Sequence, residues 1–370
     1  MAKRILFTAS TYSHIANFHL PYIRAFRDRG YQVDAACGGA PRELPDVDRV
    51  LPLPLKKSMV SPRNLSAVRI LRNEIRSSGY DMISCHTALA AFFTRLAVLT
   101  LRDRPRVACT VHGYLFDDAT SPLRKRLLVG AEQLTAPVTD LLMTMNDWDD
   151  VFARKHRLGR IIRAVPGMGV DFAAMTRPAP EEASAFRARL GFTADDFLLV
   201  YAAEFSKRKN HALLLRAAAG LPDGVKLLLP GDGVLREETM ALARSLGIED
   251  RVVFPGQVSD MPLWYGAADG AVSSSRSEGL PFNIMEAMGF GLPVVASAVK
   301  GHTDLITHGE TGLLYPPDDE ASLRVQVCRL LEDPAFRAAL GRDARASMED
   351  YDLRRVLPRV MACYDELLTD

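Results

Sequence analysis

Two glutamates with seven residues between them, Glu278 and Glu286, occupy the part of this sequence best suited to chemistry. They lie in the run Ser273-Ser-Ser-Arg-Ser-Glu-Gly-Leu-Pro-Phe-Asn-Ile-Met-Glu-Ala-Met-Gly-Phe-Gly-Leu-Pro-Val-Val-Ala-Ser297. It reads as a strand end, a polar loop, a helix with Pro281 near its first turn, a Gly-Leu-Pro stop and a buried strand. The amino end of such a helix carries unpaired N–H groups and a partial positive charge, which suits a phosphate. Two carboxylates at the mouth of a crevice can each grip a pair of sugar hydroxyls, as a nucleotide sugar presents. A helical glutamate is ordinarily exposed, but the otherwise apolar helix around Glu286 argues that it faces inward.

Other signals narrow the chemistry. The first strand-like run leads into Ser10-Thr-Tyr-Ser-His14 and not into G-x-G-x-x-G, which argues against a dinucleotide dehydrogenase. A Walker A loop and an H-E-x-x-H zinc motif are absent, and Gly231-Asp232-Gly233 after a strand has the look of a nucleotide-binding turn without its third glycine. His112 ends a strand-like run before Gly113, and His86 has the same strand-end setting, where α/β proteins place ligands.

The elements that must position these groups alternate throughout. Runs at 4–9, 31–37, 49–53, 81–85, 106–112, 140–145 and 161–165, then 197–203, 225–230, 251–254, 270–273 and 293–297, read as strands. Amphipathic stretches lie between many of them, such as Asn64 to Ser78 closed by Gly79. Such alternation requires crossovers, hence parallel sheets covered on both faces. The expectation is an α/β protein of two Rossmann-like domains facing across a crevice at the carboxyl ends of their strands. Residues 1–171 form the first domain and 172–352 the second. The glycines of Pro166-Gly-Met-Gly-Val-Asp171 suit a hinge, and the amphipathic stretch 353–370 is expected to pack back on the first domain.

The 370 residues, 48% hydrophobic and with 46 basic against 45 acidic side chains, exclude a disordered chain and predict two domains. No apolar run spans a bilayer and the start Met-Ala-Lys-Arg does not open a signal peptide, so a cytoplasmic location is expected. Five cysteines without C-x-x-C spacing read as buried thiols, not disulfides or metal ligands. Cutting after Asp171 gives about 25 basic and 16 acidic residues before the cut and about 21 and 29 after it, so about +9 and −8. The basic half is expected to meet something anionic.

The E-x7-E segment, with Arg251-Val-Val-Phe-Pro-Gly-Gln-Val before it and Gly309-Glu-Thr-Gly-Leu-Leu-Tyr-Pro-Pro-Asp after it, resembles the family 4 retaining glycosyltransferases of GT-B fold. The resemblance covers nearly the whole chain. The opening Ile5 to Leu20, Thr110-Val-His-Gly-Tyr-Leu-Phe116 and Pro166 to Asp171 are similar to the capsule and exopolysaccharide branch. It implies a hexosyl- or N-acetylhexosaminyltransferase that uses a nucleoside diphosphate sugar, UDP before GDP or ADP, to glycosylate a glycan or lipid-diphosphate acceptor with retention.

The resemblance also implies roles. Glu278 contacts the donor sugar and Glu286 the ribose hydroxyls. Ala203-Glu-Phe-Ser-Lys-Arg-Lys-Asn210 matches the diphosphate loop and places its lysine at Lys209. His112 orients the donor sugar, so His112, Glu278 and Lys209 form the catalytic set. Gly231, Gly233, Gln257, Val258, Gly279, Leu280, Phe282 and Asn283 complete the donor site, with backbone atoms around Gln257 and Val258 meeting the base. Ser13, His14, Asn17 and His86 are acceptor candidates, and His19, His302 and His308 are further contacts. No D-x-D stands between donor strand and helix, so no metal or other cofactor is expected; nor is a nucleic-acid partner. The chain departs from the family in three places: Glu204 stands where arginine is usual, leaving Lys207 or Arg208 to substitute; Pro281 replaces a glycine; and the glycine pair of the first loop gives way to Ser13 to His19.

Arg63, Arg69, Arg72 and Arg76, with Arg124-Lys-Arg126 beside Leu123, Leu127 and Leu128, suggest attachment to an anionic membrane surface. Two other functions fit the fold class, a nucleotide-sugar 2-epimerase and a non-catalytic two-lobed sugar-binding protein.

Overall fold

The computed structural model describes residues 3–56, 59 and 61–369. The chain forms two compact units, Met1–Gly169 with Arg354–Asp370, and Val170–Leu353. The unit boundary falls just before the expected one because Val170 bridges to Asp352 and exchanges backbone hydrogen bonds with Tyr351 and Leu353.

In the first unit, β1 (Arg4–Ala9), β2 (Gln32–Cys37), β3 (Arg49–Pro52), β4 (Met82–His86), β5 (Arg106–Val111), β6 (Leu141–Thr144) and β7 (Ile161–Ala164) alternate with α1 (Tyr12–Phe18), α2 (Leu20–Asp28), α3 (Pro62–Ser78), α4 (Ala88–Val98), α5 (Pro122–Thr135) and α6 (Asp147–His156). The strands make a seven-stranded sheet of order β3-β2-β1-β4-β5-β6-β7, parallel in every pair. Consecutive buried residues along β1, β2 and β4 show that both sheet faces are covered, as a parallel sheet requires. Leu6 joins a core with Leu71, Phe93, Val107 and Leu142, while Phe7 packs on Phe26 of α2 on the opposite face.

The second unit runs through α7 (Pro180–Arg189), β8 (Phe197–Val200), α8 (His211–Ala219), β9 (Val225–Leu228), α9 (Arg236–Ser245), β10 (Val252–Val253), α10 (Met261–Ala267), β11 (Gly270–Ser273), α11 (Phe282–Gly289), β12 (Val294–Ser297), α12 (His302–Leu305), β13 (Leu313–Tyr315), α13 (Glu320–Glu332) and α14 (Pro334–Ser347). Its six-stranded parallel sheet has the order β10-β9-β8-β11-β12-β13. Strand β13 was not expected; Leu-Leu-Tyr is too short to show a period, and its register against Val295 to Ser297 makes it a strand. The last helix, α15 (Leu353–Thr369), belongs with the first unit, where Tyr364 packs on Phe26 and Asp365 and Glu366 pair with Arg29 and Arg163.

Both sheets reverse strand order once, between β1 and β4 and between β8 and β11. The loops leaving these strands diverge there, which opens a ligand crevice in a doubly wound fold. All five cysteines are free; Cys37, Cys85 and Cys109 are buried, and Cys328 and Cys363 are partly buried.

Candidate active site

At the second unit's reversal, the loops after β8 and β11 are stitched together through the backbone of Lys209. The Tyr201 hydroxyl and Ser274 Oγ both donate to the Lys209 carbonyl at 3.0 Å. Ser274 Oγ is also 3.0 Å from the Asn210 carbonyl. Asn210 takes φ 53°, a left-handed conformation that asparagine tolerates better than most residues, and so turns the chain from the loop into α8. This fixes Lys209 with its Nζ 2.6 Å from Glu278 Oε1, while Arg208 Nη1 donates to Glu278 Oε2 at 2.6 Å.

The Lys209–Glu278 pair is buried, at 8% and 7% exposure, so its electrostatics are only weakly screened. Burial alone would raise the Glu278 pKa, but Lys209, Arg208 and His302 overcome it and hold the carboxyl at about 2. Burial lowers the Lys209 pKa, with Glu278 acting against that shift. Lys209 and Arg208 thus share Glu278, and Glu204 on the same loop also acts on Lys209. Arg208 is exposed like Lys207 and Glu204 on the same loop, but its bond to Glu278 sets it in the cluster.

The glycines around this cluster serve close backbone approach. A Cβ on Gly231, at φ +147°, would lie 2.0 Å from the Ala203 carbonyl, and one on Gly233 would lie 2.5 Å from that of Phe205. They seat the β9 loop against the lysine loop, and Gly231 N bonds Gly256 O at 2.8 Å, beside exposed Gln257 and half-buried Val258. Gly301, which no sequence motif marked, takes φ +83°, and a Cβ there would lie 2.7 Å from Gly279 O and 2.9 Å from Glu278 Cβ. It brings α12 against buried Gly279 and Leu280; His302, fully buried, bonds Ser297 O through Nδ1 at 2.8 Å.

Helix α11 begins at Phe282 with Pro281 as its cap and no side-chain cap bond. Phe282 and Asn283 are half-buried at its amino end. One turn further, Glu286 is half-buried and accepts a 2.8 Å hydrogen bond from the Tyr265 hydroxyl. Burial pushes its pKa up to about 7 against the opposing effect of that bond. The two motif glutamates thus differ in charge state, Glu278 ionised and Glu286 poised near neutrality.

The first unit's reversal gathers four imidazoles from α1, the α1–α2 junction, the end of β4 and the residue after β5. His112 Nε2 lies 3.4 Å from His14 Nε2 and 3.3 Å from His86 Nδ1. His19 stacks on His86 with centroids 3.7 Å apart. Burial lowers the His14 pKa to about 4 and those of His19, His86 and His112 well below the ordinary value, so all four rings are neutral. His86 differs from its expected place as an acceptor contact: it is fully buried behind His112, with Nε2 2.9 Å from Ser84 Oγ, which lies 2.7 Å from the Tyr364 hydroxyl. His14 and His112 are half-buried, while Ser13 and Asn17 are exposed on α1. Thr87, after His86, takes φ 64° and ψ 137°, unusual for a β-branched residue and costing about 1–3 kcal/mol. Ser10 fixes it by contacts of its N and Oγ to Thr87 Oγ1 at 3.0 and 2.6 Å.

Among the described residues no helix is long and apolar enough to cross a membrane. On α5, Leu123, Leu127 and Leu134 are 73%, 68% and 52% exposed along one face, beside exposed Arg124 and Arg126. Lys125 departs from the expected basic triplet, its charge paired with Asp118 at 2.9 Å and lying over the Trp148 ring. On α3, Arg72 donates to Thr100 Oγ1, leaving Arg63, Arg69 and Arg76 as that helix's exposed arginines.

Known proteins match these features in two blocks and over the whole chain. The family model for group 1 glycosyl transferases matches residues 182–347, and that for Glycosyltransferase Family 4 matches residues 22–148. EpsD of Bacillus subtilis (strain 168), assigned as a glycosyltransferase, is 32% identical over 370 residues, covering 98% of this chain and 97% of its own. The lipopolysaccharide core biosynthesis glycosyltransferase LpsD of Rhizobium meliloti (strain 1021) is 37% identical over 44% of this chain and 47% of its own. The crystal structure of Anabaena HepE in complex with UDP and glucose superposes with a TM-score of 0.81 at 22% identity, over 99% of this chain and 100% of that one. With the two Rossmann-like sheets and the paired-glutamate loop in place, the chain belongs to the GT-B glycosyltransferases of the family 4 type.

Proposed function

We propose that this enzyme transfers a hexosyl or N-acetylhexosaminyl group from a nucleoside diphosphate sugar, UDP in preference to GDP or ADP, to a hydroxyl of a glycan or lipid-diphosphate acceptor, with retention and without a metal. The observation that carries this reading is the cluster at the second unit's reversal in which buried Glu278 is held by buried Lys209 and, from its exposed rim, by Arg208. An anionic diphosphate is stabilised there as negative charge develops on the leaving group, by the two cations and the amino end of α11. Glu278 takes sugar hydroxyls and orders both cations. Glu286 takes the ribose diol, and Arg208 supplies the cation that the family places where this chain has Glu204. From the first unit, His112 is assigned to orienting the donor sugar, and His86, Ser84 and Tyr364 hold its ring. No side chain here is assigned as a covalent nucleophile, so a front-face displacement is preferred, with the leaving phosphate oxygen accepting the acceptor hydroxyl's proton.

Surface polysaccharide synthesis of the capsule or exopolysaccharide kind, at the cytoplasmic face of the membrane, is the setting we favour. The relative LpsD, a glycosyltransferase of lipopolysaccharide core biosynthesis, supports this setting, and the UDP and glucose bound to HepE support the choice of a UDP-sugar donor. The exposed leucine stripe of α5 between Arg124 and Arg126 supports docking on an anionic leaflet.

The test is a panel of UDP-, GDP- and ADP-sugars scored by thermal shift, followed by NMR of the product made with an acceptor. A UDP-sugar should raise the melting temperature, and the new linkage should keep the donor's anomeric configuration in EDTA. An inverted linkage overturns retention, activity restored only by magnesium or manganese overturns the metal-free route, and an epimerised sugar formed from donor alone overturns the transferase reading.

A further inference from the structure

We propose that His14, His19 and His112 form a binding site for a divalent transition-metal ion of the zinc type. One ring nitrogen from each of the three lies within 4.8 Å of the other two. The His14 Nε2 to His112 Nε2 separation, 3.4 Å, matches the edge of a tetrahedron built on zinc–nitrogen bonds of about 2.0–2.1 Å, which is about 3.3–3.4 Å. The remaining separations, all within 4.8 Å, must shorten toward that edge when an ion binds.

The hydrogen bonding of the cluster points the same way. His19 is fully buried and neither of its ring nitrogens has a partner. A buried imidazole normally satisfies both, one as donor and one as acceptor. His112 Nε2 is approached by both His14 Nε2 and His86 Nδ1, yet one ring nitrogen carries either a proton or a lone pair and forms a well-aligned bond with only one of them. A cation satisfies lone pairs from several rings at once, which hydrogen bonds among imidazoles cannot do.

The donor set chooses the ion. Three imidazoles with no carboxylate or thiolate favour zinc, nickel or copper over magnesium or calcium. Three protein ligands leave a fourth position for water. His14 and His112 are half-buried, which gives the ion access, and His86, stacked on His19 and bonded to Ser84, supports the rings from behind. An ion on His112 Nε2 withdraws that atom from any sugar, so zinc acts as a reversible inhibitor. This consequence rests on the role proposed above for His112; the binding site does not.

The experiment uses the full chain without a histidine tag, stripped with EDTA and titrated with zinc chloride by calorimetry and with cobalt(II) by visible absorption. One zinc ion per chain is expected, with intense d–d bands for bound cobalt that zinc displaces. His14→Ala and His19→Asn each lower the affinity at least about tenfold, whereas His308→Ala leaves it unchanged. Thermal melts keep the variants interpretable: zinc raises the melting temperature of the wild type and not of a folded His14→Ala protein. No binding to the wild type, or the same affinity in both histidine variants, overturns the site. Binding that is lost in the variants but leaves transfer uninhibited upholds the site and overturns the role of His112.

Discussion

The two reversal points share one topology and carry opposite chemistry. In the first unit the loops after β1, β4 and β5 bring together four neutral imidazoles; in the second the loops after β8 and β11 bring together Arg208, Lys209 and Glu278, all charged. Net charge runs the other way, since the sequence to Asp171 carries about +9 and the remainder about −8. A parallel sheet thus fixes where a ligand site forms, and a handful of strand-end side chains decide what it holds. The basic excess of the first half lies elsewhere, in part on α3 and α5, where a surface can meet it.

The sharpest break of this contrast is to remove charge from the second cluster. Lys209→Met or Glu278→Gln should lower kcat/KM for the donor by about 100-fold or more, because each disturbs the groups we propose to face the leaving diphosphate. Since the two side chains are bonded to each other at 2.6 Å, the double variant should be little worse than the poorer single one. Strict additivity in steady-state kinetics would show that they act separately.

Glu286 tests whether the second site's charge is uniform. A carboxyl pushed up to about 7 by burial is protonated in slightly acid solution, and the neutral form grips a ribose diol less well. Donor KM should therefore rise by up to about tenfold as pH falls from 8 to 6, and Glu286→Gln should flatten that dependence. Stability runs in the opposite sense. Between the ordinary 4.5 and about 7 the native state keeps a proton that the unfolded chain has lost. That contribution is full below the lower value and fades as pH rises through the upper one. Urea denaturation should show Glu286→Gln gaining stability relative to the wild type from pH 5 to pH 8; a constant difference would remove the shifted carboxyl.

A smaller effect is expected from the support of the imidazoles. Tyr364→Phe removes the hydroxyl 2.7 Å from Ser84 Oγ and should cost about 1 kcal/mol of stability with a several-fold loss of kcat and little change in donor KM. A selective rise in KM would assign α15 a different role. The smallest effect on transfer belongs to α5: Leu127→Ser with Arg124→Ser and Arg126→Ser should leave kinetics on a water-soluble acceptor unchanged. In co-sedimentation the same protein should lose salt-sensitive binding to anionic vesicles, and undiminished binding would remove α5 from the membrane surface.

Legibility in the sequence followed distance along the chain. The strand and helix periods are local, so β1 could be read to its ends, α3 with its closing Gly79 to within two residues, and the lysine loop and the E-x7-E segment as contiguous motifs. Short β13 escaped because three residues show no period. Gly301 escaped because the requirement for it comes from Glu278 and Gly279, which are remote in sequence.

The sequence by itself determined the α/β alternation, the two parallel sheets it demands, and the residue types at the strand ends. Only the tertiary structure decided which of those residues meet. Parallel strands that are neighbours in a sheet are separated by whole crossovers, so His14, His86 and His112, or Lys209 and Glu278 69 positions apart, come together only when the sheet forms. Burial then set their charge states, neutral for the imidazoles and ionised for Glu278 against its two cations, because desolvation and pairing exist only in the folded chain.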